Sequence, residues 1–284
     1  METRVRWACG MLAALVTGMC LGASMPPWPE TEKPEAVAAF SMQTEENLFA
    51  VGTPAPADGF TIEVISRQTP APSKRVLIYH THTYEAYEQT AERYRETEKW
   101  RTADAEHNVV RVGEELAALL RSHGMEVVHD ATAFEPPTLS SAYTRSLEML
   151  EGRRAAGERY DLYIDLHRDA YAASSTGRNT VSVGGTDTAR LMLLIGKGEG
   201  QTGPGFDVRP EWEKNLAIAR EITDALNAQA DGLCRDVCLK SGRFNQHVDV
   251  GCLLVEAGNN KNTLDQVLSA MPYLADAIAQ TLAQ

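Results

Sequence analysis

Two histidines, two threonines and a glutamate close a short apolar run at Val76-Leu-Ile-Tyr-His-Thr-His-Thr-Tyr-Glu85. These residue types bind metals and move protons. His82-x-x-Glu85 can bring an imidazole and a carboxylate within reach of one metal ion. Two later stretches have the same form. Asp165-Leu-His167-Arg-Asp169 follows the apolar Leu162-Tyr-Ile, and Glu256 follows Cys252-Leu-Leu-Val. A hydrolytic zinc site takes three protein ligands from His and carboxylate and keeps one position for water. Bound zinc acidifies that water toward neutrality, and a nearby carboxylate carries the proton to the leaving group. On this chemistry His82, Glu85 and His167 are the ligands and Glu256 is the acid/base. His80 competes for a ligand place. Successive strand residues face opposite ways, so His80 and His82 share a face if the strand continues that far, and one of them then orients substrate or ligand. Glu106, just before a helix, competes with Glu85.

The elements that must position these groups are legible from Lys74 onward. Strands are expected at Arg75–Tyr79, Met125–Val128, Leu162–Leu166, Arg190–Ile195 and Cys252–Val255. Val109, Val112, Leu116, Leu119 and Leu120 share one face of a helix that stops at His123-Gly124. Further helices are expected at Leu139–Ala156, Trp212–Ala230 and Leu264–Leu282. Alternating strands and helices predict an α/β fold with a mainly parallel sheet covered by helices on both faces. In such sheets ligands collect beyond the C-terminal ends of the strands, where His82, Glu85, His167 and Glu256 would converge. Residues 171–188, rich in Ser, Thr and Gly, read as an active-site loop.

The rest of the chain sets the compartment. Arg4 and Arg6 precede a charge-free run from Trp7 to Met25, long enough to span a bilayer. Basic residues before it and acidic ones after predict an uncleaved single-pass anchor over 1–25, with the bulk extracytoplasmic. A cleaved signal peptide is the alternative. Eight of the 13 prolines fall between residues 26 and 72, and a Pro-rich tether of that kind is semi-extended. Phe60–Ile65 alternates like a short strand. The division expected is therefore anchor 1–25, linker 26–72 and hydrolase domain 73–284. The formal net charge of -12 argues against nucleic acid as a partner. Cys234-x-x-x-Cys238 could form a disulfide in an oxidising compartment, or the two could be ordinary buried thiols.

Five motifs in order resemble the stage II sporulation protein P family of endospore-forming bacteria. They are Ile78-Tyr-His-Thr-His-Thr-Tyr-Glu85, Asn108-Val-Val-Arg-Val-Gly113, Asp165-Leu-His-Arg-Asp169, Gly242-Arg-Phe-Asn-Gln-His247 and Leu254-Val-Glu-Ala-Gly-Asn-Asn-Lys-Asn-Thr263. The resemblance covers Lys74 to Leu282, and anchor and linker match in kind. It implies a membrane-anchored peptidoglycan hydrolase of engulfment. The expected activity is that of an N-acetylmuramoyl-L-alanine amidase with endopeptidase activity, working with sporulation proteins D and M at the cytoplasmic membrane. It also implies a fold similar to zinc-dependent amidases. By that similarity His82 and His167 are Zn2+ ligands, Glu256 is catalytic, and Glu106 lies where those amidases keep a glutamate ligand. Glu85 belongs to the sporulation family's own motif and is favoured for its proximity to His82.

Beyond these, Arg168 could hold a stem-peptide carboxylate or pair with Asp169. Arg243, Asn245 and Gln246 could donate to amide or sugar groups or cap their loop. A stem-peptide peptidase and a non-catalytic wall-binding scaffold are the alternative functions. Glu256 discriminates against the second, since a binding module needs no strand-end acid.

Overall fold

The computed structural model describes residues 73–91, 93–170, 179–200 and 206–283, all within one unit, Ser66–Gln284. The expected anchor, the linker and the Phe60–Ile65 strand lie outside the described residues. Among those described, no helix is long and apolar enough to cross a membrane.

Among the described residues, eight strands occur in chain order: β1 Arg75–Tyr79, β2 Glu126–His129, β3 Leu162–Asp169, β4 Thr180–Val183, β5 Thr186–Ala189, β6 Leu191–Gly196, β7 Cys238–Lys240 and β8 Cys252–Asn259. Six form one sheet in the order β2-β1-β3-β8-β6-β7. Strands β2, β1, β3 and β8 run parallel, as a mainly parallel sheet requires. Strand β6 runs antiparallel to β8, and β7 follows β6. The reason is the connection. Parallel neighbours need a crossover segment, whereas β4 and β5 form a hairpin that returns the chain at the edge where β3 ended. Part of the stretch expected to be a loop, residues 171–188, is thus this hairpin, and residues 171–178 lie outside the described set.

The helices are α1 Val109–Ser122, α2 Ala142–Ala155, α3 Trp212–Gln229, α4 Leu264–Leu268 and α5 Met271–Leu282. Asn108 caps α1 by accepting from the Val110 amide at 2.8 Å. Gly124, at φ +81°, ends it in the left-handed conformation that helix stops favour. The single helix expected over Leu264–Leu282 is two. Pro272 occupies the first turn of α5, where its missing N–H costs nothing; inside a continuous helix it would break a bond.

Alternation along β1 divides the core. Val76 and Ile78 join a large cluster with α1, α3 and α5, which also takes in Leu162, Ile164, Leu166, Leu253 and Val255. Leu77 and Tyr79 face the other way, with Tyr163, Cys252 and the α2 residues Ala142 and Leu150. Helices therefore cover both faces. Each fully buried Leu, Ile or Val contributes about 1.5–3 kcal/mol. Cys234, Cys238 and Cys252 are free thiols, so Cys234 and Cys238 form no disulfide.

One close approach in this packing is testable. A Cβ on Gly113 of α1 would lie 2.6 Å from His80 Nε2 and 2.7 Å from His129 Nε2. Gly113→Ala gains about 1 kcal/mol of helix propensity, but overpacking a rigid buried pair costs about 1–3 kcal/mol. We expect a net loss of stability, read as a lower urea midpoint. A raised midpoint would show that the two rings give way.

Candidate active site

The site is assembled at the C-terminal edge of β1, β3 and β8, on the side of the sheet that α2 covers. β1 stops at Tyr79, and a turn closed by the Glu85 amide on His82 O at 3.1 Å re-aims the next residues. His82 and Glu85 emerge from that turn. In β3, Asp165 and His167 have the same parity as Tyr163 and so share its face. Glu256 of β8 is the register partner of His167, which sets the acid beside the imidazole on adjacent strands.

His167 is the hub. Its Nε2 lies 2.8 Å from Asp165 Oδ1 and its Nδ1 3.4 Å from Glu85 Oε2. Its ring meets the His82 ring edge-on, with centroids 5.2 Å apart. Asp165 is held in turn by Thr81, whose amide donates to Oδ1 at 2.8 Å and whose hydroxyl donates to Oδ2 at 2.7 Å. Burial opposes a charge on His167, but Asp165 and Glu85 on either side raise its pKa well above the ordinary imidazole range. Burial likewise works against the Glu85 carboxylate, yet His167 and Arg168 outweigh it and hold Glu85 down to about 2.

Glu256 is the converse case. Burial pushes its carboxyl up to about 8, with His167 drawing it down and Glu85 and Asp169 adding to the rise. Its Oε2 is buried without a hydrogen-bond partner among the described residues. Glu85 and Glu256 thus sit close to His167 with opposite perturbations, the first held ionised and the second held toward its protonated form. His82 Nδ1 is also buried without a hydrogen-bond partner, 3.6 Å from Glu135 Oε1.

Other expected residues are placed differently. His80 does not share a face with His82. It is fully buried under α1, where Nδ1 donates to Leu166 O at 2.9 Å and Nε2 meets His129 Nε2 at 2.9 Å. Burial, aided by His129, lowers its pKa to about 3. It braces the backbone just before His167 and does not face substrate. The sheet ends at Tyr79, so the parity argument does not reach His82. Arg168 is turned inward: its Nε donates to Ala86 O at 3.1 Å and its amide to Glu85 Oε2 at 3.1 Å. Asp169 pairs with Arg235 at 2.7 Å, not with Arg168. Glu106 is exposed on a 3₁₀ turn, Ala105–His107, whose cap is Asp104. Asn245 Nδ2 donates to Tyr143 O at 2.8 Å, and Gln246 clamps β6 through Gly196 N and Leu194 O. Arg243 lies across Phe206, 4.5 Å from the ring centroid.

Two neighbours escaped the sequence reading. Glu135, buried and paired with Arg101, stands beside His82. It comes from the loop after β2, and no spacing marked it. Tyr143 of α2 meets the His82 ring edge-on at 5.4 Å.

Among the described residues, no three His, Cys, Asp or Glu side chains are grouped as a ready metal cluster. The donors come together in pairs. Their chemistry, two imidazoles and a carboxylate, and the unpartnered buried His82 Nδ1 nevertheless fit a metal ion better than a closed polar network.

Comparison with known proteins gives the same family. A family model described as Stage II sporulation protein P matches residues 29–279. Stage II sporulation protein P of Bacillus subtilis (strain 168) is 25% identical over 225 residues, which is 75% of this chain and 52% of that protein. The chain thus spans about half the length of this curated relative. Among solved structures, the CwlD amidase of Clostridioides difficile, in complex with the GerS lipoprotein, matches with a TM-score of 0.47 at 12% identity, covering 74% of this chain and 97% of that one. The catalytic domain of CwlV, an N-acetylmuramoyl-L-alanine amidase from Bacillus (Paenibacillus) polymyxa, matches with a TM-score of 0.42 at 12% identity, covering 74% and 96%.

Proposed function

The chain belongs to the stage II sporulation protein P family, and from that premise we propose that it is a zinc-dependent peptidoglycan hydrolase. Its reaction is hydrolysis of the amide between muramic acid and the stem L-alanine, in septal wall thinning and engulfment. Endopeptidase cleavage within the stem is a second activity of the same site. The protein is held at the cytoplasmic membrane by residues 1–25, with the hydrolase domain outside, and works with sporulation proteins D and M.

The observation that carries the reading is the pairing of His167 with Glu256 across adjacent strands, with His82 and Glu85 turned onto the same imidazole. A wall-binding scaffold has no use for a buried carboxyl left without a hydrogen-bond partner beside a fixed anion. His82, Glu85 and His167 would hold zinc. Zinc, when bound, supplies a Lewis acid and a water acidified toward neutrality.

The remaining work falls to the chain itself. Asp165 faces His167 Nε2 at 2.8 Å as a charge partner, without the alignment of a hydrogen bond, which leaves Nδ1 on the side of Glu85. Arg168 and its amide keep Glu85 ionised and immobile. Glu256 moves the proton: as base it takes one from the attacking water, and as acid it gives it at Oε2 to the departing amide nitrogen. The raised value belongs to the metal-free site; a cation held by the neighbouring ligands would draw it down and free the carboxylate to act as base. Burial of these groups excludes bulk water and strengthens each charge interaction.

Mass spectrometry of products from purified peptidoglycan, with and without a chelator, tests this. Free stem peptides that disappear on chelation are expected. Shortened or separated cross-linked stems without free intact ones would indicate a peptidase, and intact wall in both arms would leave only the scaffold.

A further inference from the structure

A cavity of about 360 Å³ opens beside the site, between the start of α2 and the Gly242–Asn245 loop. Its walls are apolar: Tyr143, Leu147, Phe206 and Phe244, with Thr144 at the rim and the Arg243 guanidinium across Phe206. Tyr143 is the wall it shares with the candidate centre. The His82 ring meets Tyr143 edge-on at 5.4 Å, and Tyr143 meets Phe244 at 5.9 Å.

The loop is held in a costly shape. Phe244 and Asn245 are both left-handed, at φ +49° and +54°, a conformation that non-glycine residues keep only where surroundings impose it. The surroundings do so here. Asn245 Nδ2 donates to Tyr143 O and, at 3.0 Å, to Ser146 Oγ, while Gln246 is bonded at both ends to β6. The flanking glycines leave room for the Phe244 ring. A Cβ on Gly242 would lie 2.7 Å from it, and one on Gly196 would lie 2.7 Å from it and 2.4 Å from Gly242 O. What this strain achieves is a rigid aromatic wall and a fixed arginine at the cavity. Burial disfavours the Arg243 charge, so an arriving anion gains more there than at an exposed lysine.

We propose that this cavity is a specificity subsite for an acidic residue of the stem peptide. Its carboxylate pairs with Arg243, and its methylenes pack on Phe206, Phe244 and Tyr143. The inference rests on the hydrolase reading, which brings the stem to His82.

The test is isothermal titration of the full chain in detergent micelles. The probes are the tripeptide L-alanyl-γ-D-glutamyl-meso-diaminopimelate and its fully amidated counterpart. The acid form is expected to bind about tenfold more tightly, with Arg243→Gln abolishing the preference and Arg243→Lys keeping part of it. Arg243→Gln could disturb the loop, so Thr144→Glu is the second variant. Thr144 is exposed in the first turn of α2, where a carboxylate suits the helix dipole. Thr144→Glu should weaken the acid peptide about fivefold more than the amidated one, so that the ratio between the two falls. Equal binding of the two peptides by the unaltered chain, no binding of either, or a preference untouched by both variants overturns the subsite. The wall digest separates the two readings. Wall cleavage without the preference removes the subsite and keeps the hydrolase; the preference without wall cleavage does the reverse.

Discussion

His82→Ala and His167→Ala will each abolish wall hydrolysis and zinc retention together, but they will differ in what they do to the fold. The His82 Nδ1 has no hydrogen-bond partner to lose, so its removal is structurally cheap. His167 stands between Asp165 and Glu85. Deleting it leaves two buried carboxylates facing each other, a loss of the kind that costs about 3–5 kcal/mol. His82→Ala should therefore unfold close to the unaltered metal-free chain, and His167→Ala well below it. Metal analysis after gel filtration gives the decisive reading. Full zinc occupancy in both variants would remove them from the ligand set. Parallel alanine variants of Glu85 and Glu106 complete the comparison. The contact of Glu85 with His167 and the exposure of Glu106 predict that only the Glu85 variant loses zinc affinity.

Glu256→Gln should keep zinc and lose turnover by a factor on the order of 10² to 10⁴, the usual worth of a positioned proton carrier. Undiminished amide cleavage would sink that role. The same substitution should stabilise the metal-free protein at mildly alkaline pH. A carboxyl whose folded-state value is raised takes up a proton on folding. Its contribution is therefore most favourable below the unfolded value near 4.5 and is lost as pH rises toward about 8. Glutamine removes that slope. In chelated samples near pH 8 the variant should gain on the order of 1–3 kcal/mol, several degrees in Tm. A loss of stability there would mean that the Glu256 carboxyl is not raised by its surroundings.

The central strands and the long helices were readable because their patterns are long. The apolar faces of α1 and α3 give their bounds to within a residue or so. Shorter features were not. Strand β7 has three residues, too few for any period. The β4–β5 hairpin lies in a stretch whose Ser, Thr and Gly content reads as loop, and its one strong signal is the turn pair Gly184-Gly185, both at positive φ. The reversal of β6 follows from that hairpin and has no signal of its own. At the site, His82, Glu85, His167 and Glu256 were visible because apolar runs point at them. His80 was misplaced because strand parity ends at Tyr79 and the turn then decides direction. Glu135 carried no signal, since its approach to His82 is made by a loop from a different strand. The inward turn of Arg168 was hidden for a related reason: its partners are backbone carbonyls, which have no sequence signature.

The placement of His167 and Glu256 has a last consequence. They stand on β3 and β8, the two central strands, each bonded to a neighbour on both sides. Such strands open only when the whole sheet does. The reacting groups therefore have no private hinge, and cannot be loosened or retuned apart from the domain. For the proposed hydrolase this means that heat or denaturant removes catalysis and structure in one step, and that control would act on what reaches the cleft, by admitting or withholding the wall strand.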